Sequence, residues 1–474
     1  MDTELAKFSV KFLVPENQTS PHIQVQFGNE TLDLLPEQIL SMILDKAHQF
    51  ALSHYQQQNK ETTSDDIQLK YVFAVPPSFT ASQLSSVKDS CKISGITEVE
   101  FVSDITAAIV NYVYFRGLDN FKDNGKKMMF LQMGHSYFTA QIVEIKGNDI
   151  KVLSTVSSDN LGARNFDFAL FDYAKQEFMK KYGFDISTNP KSLNRVLKAC
   201  EKCKQVLSTI NETDLIVESL HNDKDLHIKI NRQLFEELNE KSLKSIESYL
   251  SKIITESGIS NLETELDGVE VFGGGIRIPS VQAKIKSTTK KDLQFGISAQ
   301  AIALGSSLCG KLKDENFSFK LNFNDNFSTF DYNTKFNEDQ IKSIQEKNLL
   351  FAEQEKLIAS IHAKKNELES YIFAKKNQIK DSKYQSYLNS TQIDIIQKFL
   401  GTAEDWLHQS DVESLDPIDQ LKSYSSQVED LKNQVNNASP DLYQALLKEE
   451  EQRKKEMEEG RYILIIKFTI LTSC

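Results

Sequence analysis

Up to about residue 35 the apolar positions hold no sustained period, and the chain begins irregularly. Pro36–Tyr55 then places Ile39, Ile43, Ala47 and Ala51 on one helical face. From Leu69 to Ser158, short β-branched and aromatic runs alternate with helical patterns. Tyr71–Phe79 (YVFAVPPSF) predicts a strand ending in a turn. Ala81–Ser94 predicts a helix with Leu84, Val87 and Cys91 inward and Gly95 as its cap. Val99–Thr106 (VEFVSDIT) predicts a strand running into the helix AAIVNYVYF, and Met128–Ser136 (MMFLQMGHS) a strand ending in a glycine turn. Phe138–Ile145 and Ile150–Ser157 flank Lys146-Gly147-Asn148-Asp149 and read as a hairpin. Residues 163–210 are largely helical, Leu215–Ile230 predicts a second hairpin, and Arg232–Ser257 returns to helix.

The pattern changes after Gly310. Lys311–Lys335 is rich in Asn, Asp, Phe and Ser and reads as a linker with one strand at most. Phe336–Glu459 is almost wholly helical. Ile344, Phe351, Ile358 and Ile361 mark one apolar stripe, and Ile393, Ile396, Leu400, Ala403 and Leu407, with Trp406 alongside, mark a second. Ile418, Leu421, Val428, Leu431 and Val435 mark a third. Three amphipathic helices joined by short loops predict a bundle, with a generic coiled coil as the alternative. Tyr462–Leu471 (YILIIKFTIL) is abruptly apolar, too short to span a bilayer, and reads as an aggregation hazard or a mistranslated end.

At 474 residues the chain has room for two or three domains. Its net charge of −12 argues against nucleic acid or an anionic membrane as partner. Cys91, Cys200, Cys203, Cys309 and Cys474 form no disulfide-like framework and suit a reducing compartment. Cys200 and Cys203 make a lone C-x-x-C with no second pair or nearby histidines, so a structural role is expected. The eight histidines show no metal-ligand spacing, and the first residues no signal-peptide pattern.

The chemistry concentrates in VEVFGGGIRIPS (Val269–Ser280), where a β-branched run meets three glycines and a helix opens at Ile278-Pro279. Three glycines admit close backbone approach, and a helix N-terminus favours an anion; the same turn also serves as plain architecture. Taken with YVFAVPPSF, VEFVSDIT, MMFLQMGHS, LGARNFD (Leu161–Asp167) and ACEKCKQVLS (Ala199–Ser208), in this order, it resembles the nucleotide-binding domain of the 70-kDa heat-shock protein family, closest to its large, 110-kDa branch. ESYIFAKKNQI and AEDWL resemble that family's helical lid.

The resemblance implies an α/β, actin-like (ribonuclease H-like) ATPase domain over residues 1–310, incomplete at its start, with its ligand in a crevice between lobes. A linker over 311–335 would stand in place of the peptide-gripping β-sandwich, followed by a lid-like bundle over 336–460 and an atypical tail over 461–474. It places ATP or ADP with Mg²⁺ at Gly134, His135 and Ser136, at Gly162, at Glu201, Lys204, Gln205 and Ser208, and at Gly273, Gly274, Gly275 and Arg277. Asp104 would reach a metal-bound water, or merely favour a helix dipole. Departures stand beside these matches. Gln132 replaces a metal-linked aspartate, Thr139 a second acidic residue and Ala299 an aspartate, while no Asp-x-Gly-Thr loop or catalytic lysine precedes FSVKFLVPEN.

Hydrolysis is therefore expected to be poor. The resemblance implies a co-chaperone, a nucleotide exchange factor or holdase partner of a conventional family member, with unfolded polypeptide as a further ligand and the cytosol or the endoplasmic-reticulum lumen as its place. Asn17-Gln18-Thr19 and Asn389-Ser390-Thr391 permit glycosylation but decide little. The alternatives are a scaffold acting through its helices and a small-metabolite kinase of the same fold.

Overall fold

The computed structural model describes residues 11–13, 21–27, 30–59, 69–122, 125–313, 317–323, 334–408 and 410–471. Expectations on Asn17, on residues 314–316 and 324–333, on Cys474 and on the side chains of the apolar tail lie outside it. The chain forms two compact units, residues 1–345 and 346–474.

The opening stretch is more regular than its sequence pattern implied. β1 (Lys11–Leu13), β2 (His22–Phe27) and β3 (Glu30–Leu34) form an antiparallel sheet. The alternation of Ile23, Val25 and Phe27 with Gln24 and Gln26 is a strand signal too short to stand out alone. α1 (Pro36–Gln58) follows. β4 (Tyr71–Val75) and β5 (Val99–Ser103) then pair in parallel, with α2 (Ala81–Ile93) as the crossover that parallel strands require. Thr80 and Gln83 cap α2 reciprocally, and Gly95, at φ +79°, takes the left-handed position after its end.

α3 (Asp104–Arg116) leads into an antiparallel meander of β6 (Lys126–Met133), β7 (Phe138–Lys146) and β8 (Asp149–Ser158). Then come α4 (Ala163–Tyr182), α5 (Pro190–Leu207), the hairpin of β9 (Glu212–His221) and β10 (Lys224–Asn231), α6 (Arg232–Leu238) and α7 (Glu240–Glu256). β11 (Gly268–Phe272), α8 (Pro279–Thr289), β12 (Leu293–Gln294), α9 (Ala301–Lys311) and β13 (Asn322–Phe323) complete the unit. Its main sheet is mixed and six-stranded, in the order β12-β11-β6-β7-β8-β13, so one short strand does lie between 311 and 335.

That sheet is covered on both faces, which explains the nearly continuous apolar runs of β6 and β7. Met129, Leu131 and Met133 join the core with α4, α5, α7 and α8, where Cys200 and Cys203 are also buried. Met128 and Phe130 face the opposite way, toward α3 and α9. α3 and α9 cross at Gly305, where an added Cβ would lie 2.5 Å from the Ala107 carbonyl carbon.

The second unit is helical. α10 (Glu338–Gln378) begins in the first unit and ends here, followed by α11 (Ser390–Leu407), α12 (Pro417–Ala438) and α13 (Pro440–Leu471). Leu368, Ile372, Ile396, Leu400, Val428, Leu431 and Val435 form its core. Trp406 meets Tyr424 edge to face at 5.4 Å beside Ile361. Ile418, assigned above to the inward stripe, is exposed; it sits in the first turn of α12, and the buried Tyr424 packs in the core. Glu367 accepts from Lys364 and Lys432, which hold its carboxyl near pKa 2, although both pairs are too exposed to stabilise much. No helix among the described residues is long and apolar enough to cross a membrane.

Two of the helical glycines, Gly401 and Gly305, give opposed expectations for one substitution. Gly401→Ala has open space and should raise stability by about 0.5–1 kcal/mol through helix propensity. Gly305→Ala must separate two packed helices and should lower it by roughly 1–3 kcal/mol or more. Urea unfolding followed by circular dichroism would decide, and equal effects would show that the α3–α9 crossing is slack.

Candidate functional site

Four separated segments meet at the loop between β6 and β7. Gly134 donates its N–H to the Tyr137 carbonyl (3.0 Å), closing a four-residue turn over Gly134, His135, Ser136 and Tyr137. The start of α4 packs on this turn. Ala163 N–H donates to the Gly134 carbonyl (3.0 Å), and Arg164 N–H to that of His135 (2.9 Å). Donors left over at a helix N-terminus are therefore spent on the loop itself, not held free for an anion. Gly162 makes the contact possible, since an added Cβ would lie 2.7 Å from the Ser136 carbonyl carbon.

The triple glycine closes in from another side. Gly273, at φ +95°, would carry a Cβ 2.8 Å from the Met133 carbonyl carbon, and one on Gly275 would stand 2.7 Å from Met133 Cγ. Gly274 differs: nothing lies within 4 Å of its Cβ position. Gly273, Gly274 and Arg277 are exposed, and a single 3₁₀ turn (Gly274–Arg277) joins β11 to α8.

α5 reaches the same place through Lys204. Its ammonium is buried, donating to Asp167 Oδ2 at 2.6 Å and to the Ala163 carbonyl at 3.4 Å. Burial pushes Asp167 up to about pKa 6, partly offset by Lys204. Lys204 thus pins α5 to α4. Glu201 and Gln205 stay exposed and bond to each other (3.4 Å), while Ser208 donates to the Lys204 carbonyl (3.0 Å). The His135 imidazole is held below its ordinary pKa by partial burial and then by the Lys204 and Arg164 cations.

At the base of the loop, Asp104 opens α3 as its first residue and is buried. Its Oδ1 accepts from the Ile105 N–H at 2.7 Å, and its Oδ2 accepts from Gln132 Nε2 at 3.1 Å. Gln132 Oε1 is buried with no partner. Thr139, opposite Gln132 in the β6–β7 register, shares a hydrogen bond with Ser157 (3.0 Å). Among the described residues no three His, Cys, Asp or Glu side chains converge. A hard divalent cation needs several oxygen ligands with charge among them. One carboxylate already bonded by an amide does not fit a tightly held magnesium ion.

Beyond Thr139 lies a polar cleft of about 880 Å³, lined by Ser78, Ser103, Thr106, Gln141, Thr155 and Ser157 among others. Gln141 Nε2 donates to Thr155 Oγ1 (2.9 Å), and its buried Oε1 has no partner. The sequence reading missed these residues, and their one signal is Thr139 and Gln141 standing two apart on an otherwise apolar strand. Ala299 does not join the loop cluster; it lines a separate cavity beside β4. So the structure brings Gly134, His135, Ser136, Gly162, Gly273 and Gly275 together around one loop, with Asp104 linked to it through Gln132 and Lys204 through Ala163. Glu201 enters the same electrostatic neighbourhood, and Gly274 and Arg277 stand at its open side.

The sequence profile described as "Hsp70 protein" matches residues 1–325. The heat shock protein hsp88 of Neurospora crassa is 36% identical over 251 residues, 52% of this chain and 35% of that protein. A heat shock protein homolog of Saccharomyces cerevisiae is 32% identical over 289 residues, covering 60% and 40% respectively. A ribosome-associated molecular chaperone of Zygosaccharomyces rouxii is 30% identical over 303 residues, covering 64% and 47%. The chain thus matches less than half the length of each of these curated relatives.

Two expectations separate architecture from chemistry here. Asp167→Ala leaves the buried Lys204 charge uncompensated and should cost about 3–5 kcal/mol, whereas Asp167→Leu with Lys204→Met should cost far less. A double variant as unstable as the single one would show the pair to be more than a mutual neutralisation. Gly162→Ala should drive His135 and Ser136 from their places and lower the unfolding midpoint, while Gly274→Ala should leave it unchanged.

Proposed function

Because the chain belongs to the heat shock protein 70 family, we propose that it is a co-chaperone of that family's large branch. On this reading it binds ATP or ADP without efficient hydrolysis and promotes nucleotide exchange on a conventional family member. The family's actin-like ATPase fold, with a mixed sheet and following helices, supports this reading. So do the named relatives, which include heat shock proteins and a molecular chaperone.

The observation that carries it is that one carboxylate, Asp104, stands at the base of the loop with neutral neighbours. Gln132 bonds Asp104, and Thr139 bonds Ser157, in the places where the resemblance expects further carboxylates. Phosphoryl transfer rests on positioning and on charge neutralisation by metal and cations. Here glycine segments converge on the loop, while Gln132 and Thr139 bring no charge that would order a metal and a water. Such a domain suits signalling by bound nucleotide better than turnover. A small-metabolite kinase would need the same missing charges. Cys91, Cys200 and Cys203 are buried thiols outside any disulfide, which favours the cytosol over the endoplasmic-reticulum lumen. A holdase role toward unfolded polypeptide is secondary in this reading.

Calorimetric titration of the full chain with ATP, with and without magnesium, tests it. Gly274→Asp adds a carboxylate where there is room, so the fold should survive and any loss reports on the crevice. We expect binding that needs magnesium little and that the substitution abolishes. The parent should also speed release of labelled ADP from a conventional family member. Absence of both effects would favour a scaffold working through its helices.

A further inference from the structure

Along α10, Lys364, Glu367, Tyr371, Lys375 and Gln378 recur at helical spacing and so share one stripe, which Lys432 of α12 also reaches. Glu367 is the one carboxylate among them, and Lys364 and Lys432 already share it. Two ammonium groups approach the Tyr371 ring, that of Lys375 at 5.6 Å from its centroid and that of Lys432 at 5.9 Å. The Tyr371 hydroxyl is buried without a hydrogen-bond partner. Burial pushes its pKa up to about 12, so it stays neutral and gives neither lysine a counter-charge.

Lys375 is the unbalanced member. It is half-buried, donates to the neutral Gln378 amide oxygen at 2.7 Å and, among the described residues, forms no ion pair. Lys364, Lys365 and Lys376 on the same helix each have a carboxylate: Glu367, Glu413 and Glu404 of α11. Burial holds Lys375 below the ordinary lysine range, whereas the hydrogen bond to Glu413 holds Lys365 above it. The ring contact returns part of the hydration that the ammonium loses, but a ring face and one amide do not replace a counter-ion. A lysine amine in such a place loses its proton more readily and is the stronger nucleophile near neutrality.

We propose that Lys375 is a covalent modification site, an amine nucleophile that takes an acyl group from an acyl thioester. The Nζ lone pair attacks the thioester carbonyl carbon and the C–S bond breaks. The thiolate leaves and takes up the proton that the amine gives up, so the products are an N-acyl-lysine and a free thiol. The acylated side chain keeps one N–H for Gln378 and no longer buries a charge. Modification at Lys364 or Lys365 would remove an ion pair, whereas at Lys375 it relieves the α10–α12 seam of an uncompensated cation. The site lies wholly within the second unit and does not rest on the function proposed above.

The test is competition among lysines within the folded full chain. A limiting amount of S-acetyl-N-acetylcysteamine, an acetyl thioester, is added at neutral pH, and the acetylation rate of each lysine is read by peptide mass spectrometry. Lys347, Lys356 and Lys398, all exposed and outside any ion pair, serve as internal standards. Lys375 should react about threefold faster than these or more, despite its poorer access. The advantage should vanish in urea, and it should shrink as pH rises, because the standards then lose their protons as well. Lys375→Met, which keeps the stem and removes the charge, should raise the urea midpoint of the chain, and Lys375→Arg should not. A rate at or below that of the standards overturns the proposal. So does an advantage that survives in urea, which would place its cause in the local sequence, or one that persists at alkaline pH, which would place it in thioester binding and not in the amine. A Lys375→Met variant no more stable than the parent would show that the charge costs nothing where it stands, and would overturn it equally.

Discussion

Met133, His135 and Ser136 are approached by two other segments more closely than a side chain permits. Gly162 rests on the His135–Ser136 peptide, Gly273 on the Met133 carbonyl and Gly275 on the Met133 side chain, while α4 donates its first two N–H groups to the turn. Each approach removes water from backbone groups, and each is compensated by a hydrogen bond or by close dispersion contact. The main sheet, α4 and the β11–α8 junction are thereby fixed relative to one another. Everything else at the site hangs on that arrangement: where Gln132 meets Asp104, where Lys204 enters from α5, and which glycine is left facing open space.

That last distinction matters for chemistry. A glycine held in backbone contact is structural, and its replacement is felt throughout the unit. Gly274 has no such neighbour, so its missing side chain leaves room and nothing more. The same sorting applies to charge. Lys204, which the family resemblance places at the ligand, is buried against Asp167 and joins α5 to α4. Asp104 has one carboxylate oxygen on the Ile105 N–H and the other on the neutral Gln132 amide. What remains available to a ligand is mostly backbone and neutral hydrogen-bonding groups, together with Glu201, Gln205 and Arg277 at the exposed side.

Much of this was legible in the residues. The loops that converge followed from the family resemblance those motifs carry in order; the glycines by themselves mark close backbone approach without saying to what. The hairpin at Lys146–Asp149, the αβ alternation and the amphipathic helices after Phe336 followed from period and turn chemistry. Partners drawn from far along the chain were not legible. Nothing local tells that Lys204 will find Asp167, 37 positions away, or that Gln132 will find Asp104, 28 away. β1–β3 were missed because their alternation is brief, and Ile418 was misplaced because a first-turn residue continues the helical period without facing the core. Gln141 was missed because one polar residue on a strand counts as noise until its neighbours Thr155 and Ser157 are known.

β4 shows why the edge of a sheet is the hardest feature to read in advance. Its sequence, YVFAV, is that of a strand buried on both sides, and both faces are indeed covered. Side-chain pattern reports on faces alone, since successive residues alternate between them. Whether main-chain donors and acceptors are met on each edge depends on what other segments supply, and that leaves no mark within the strand.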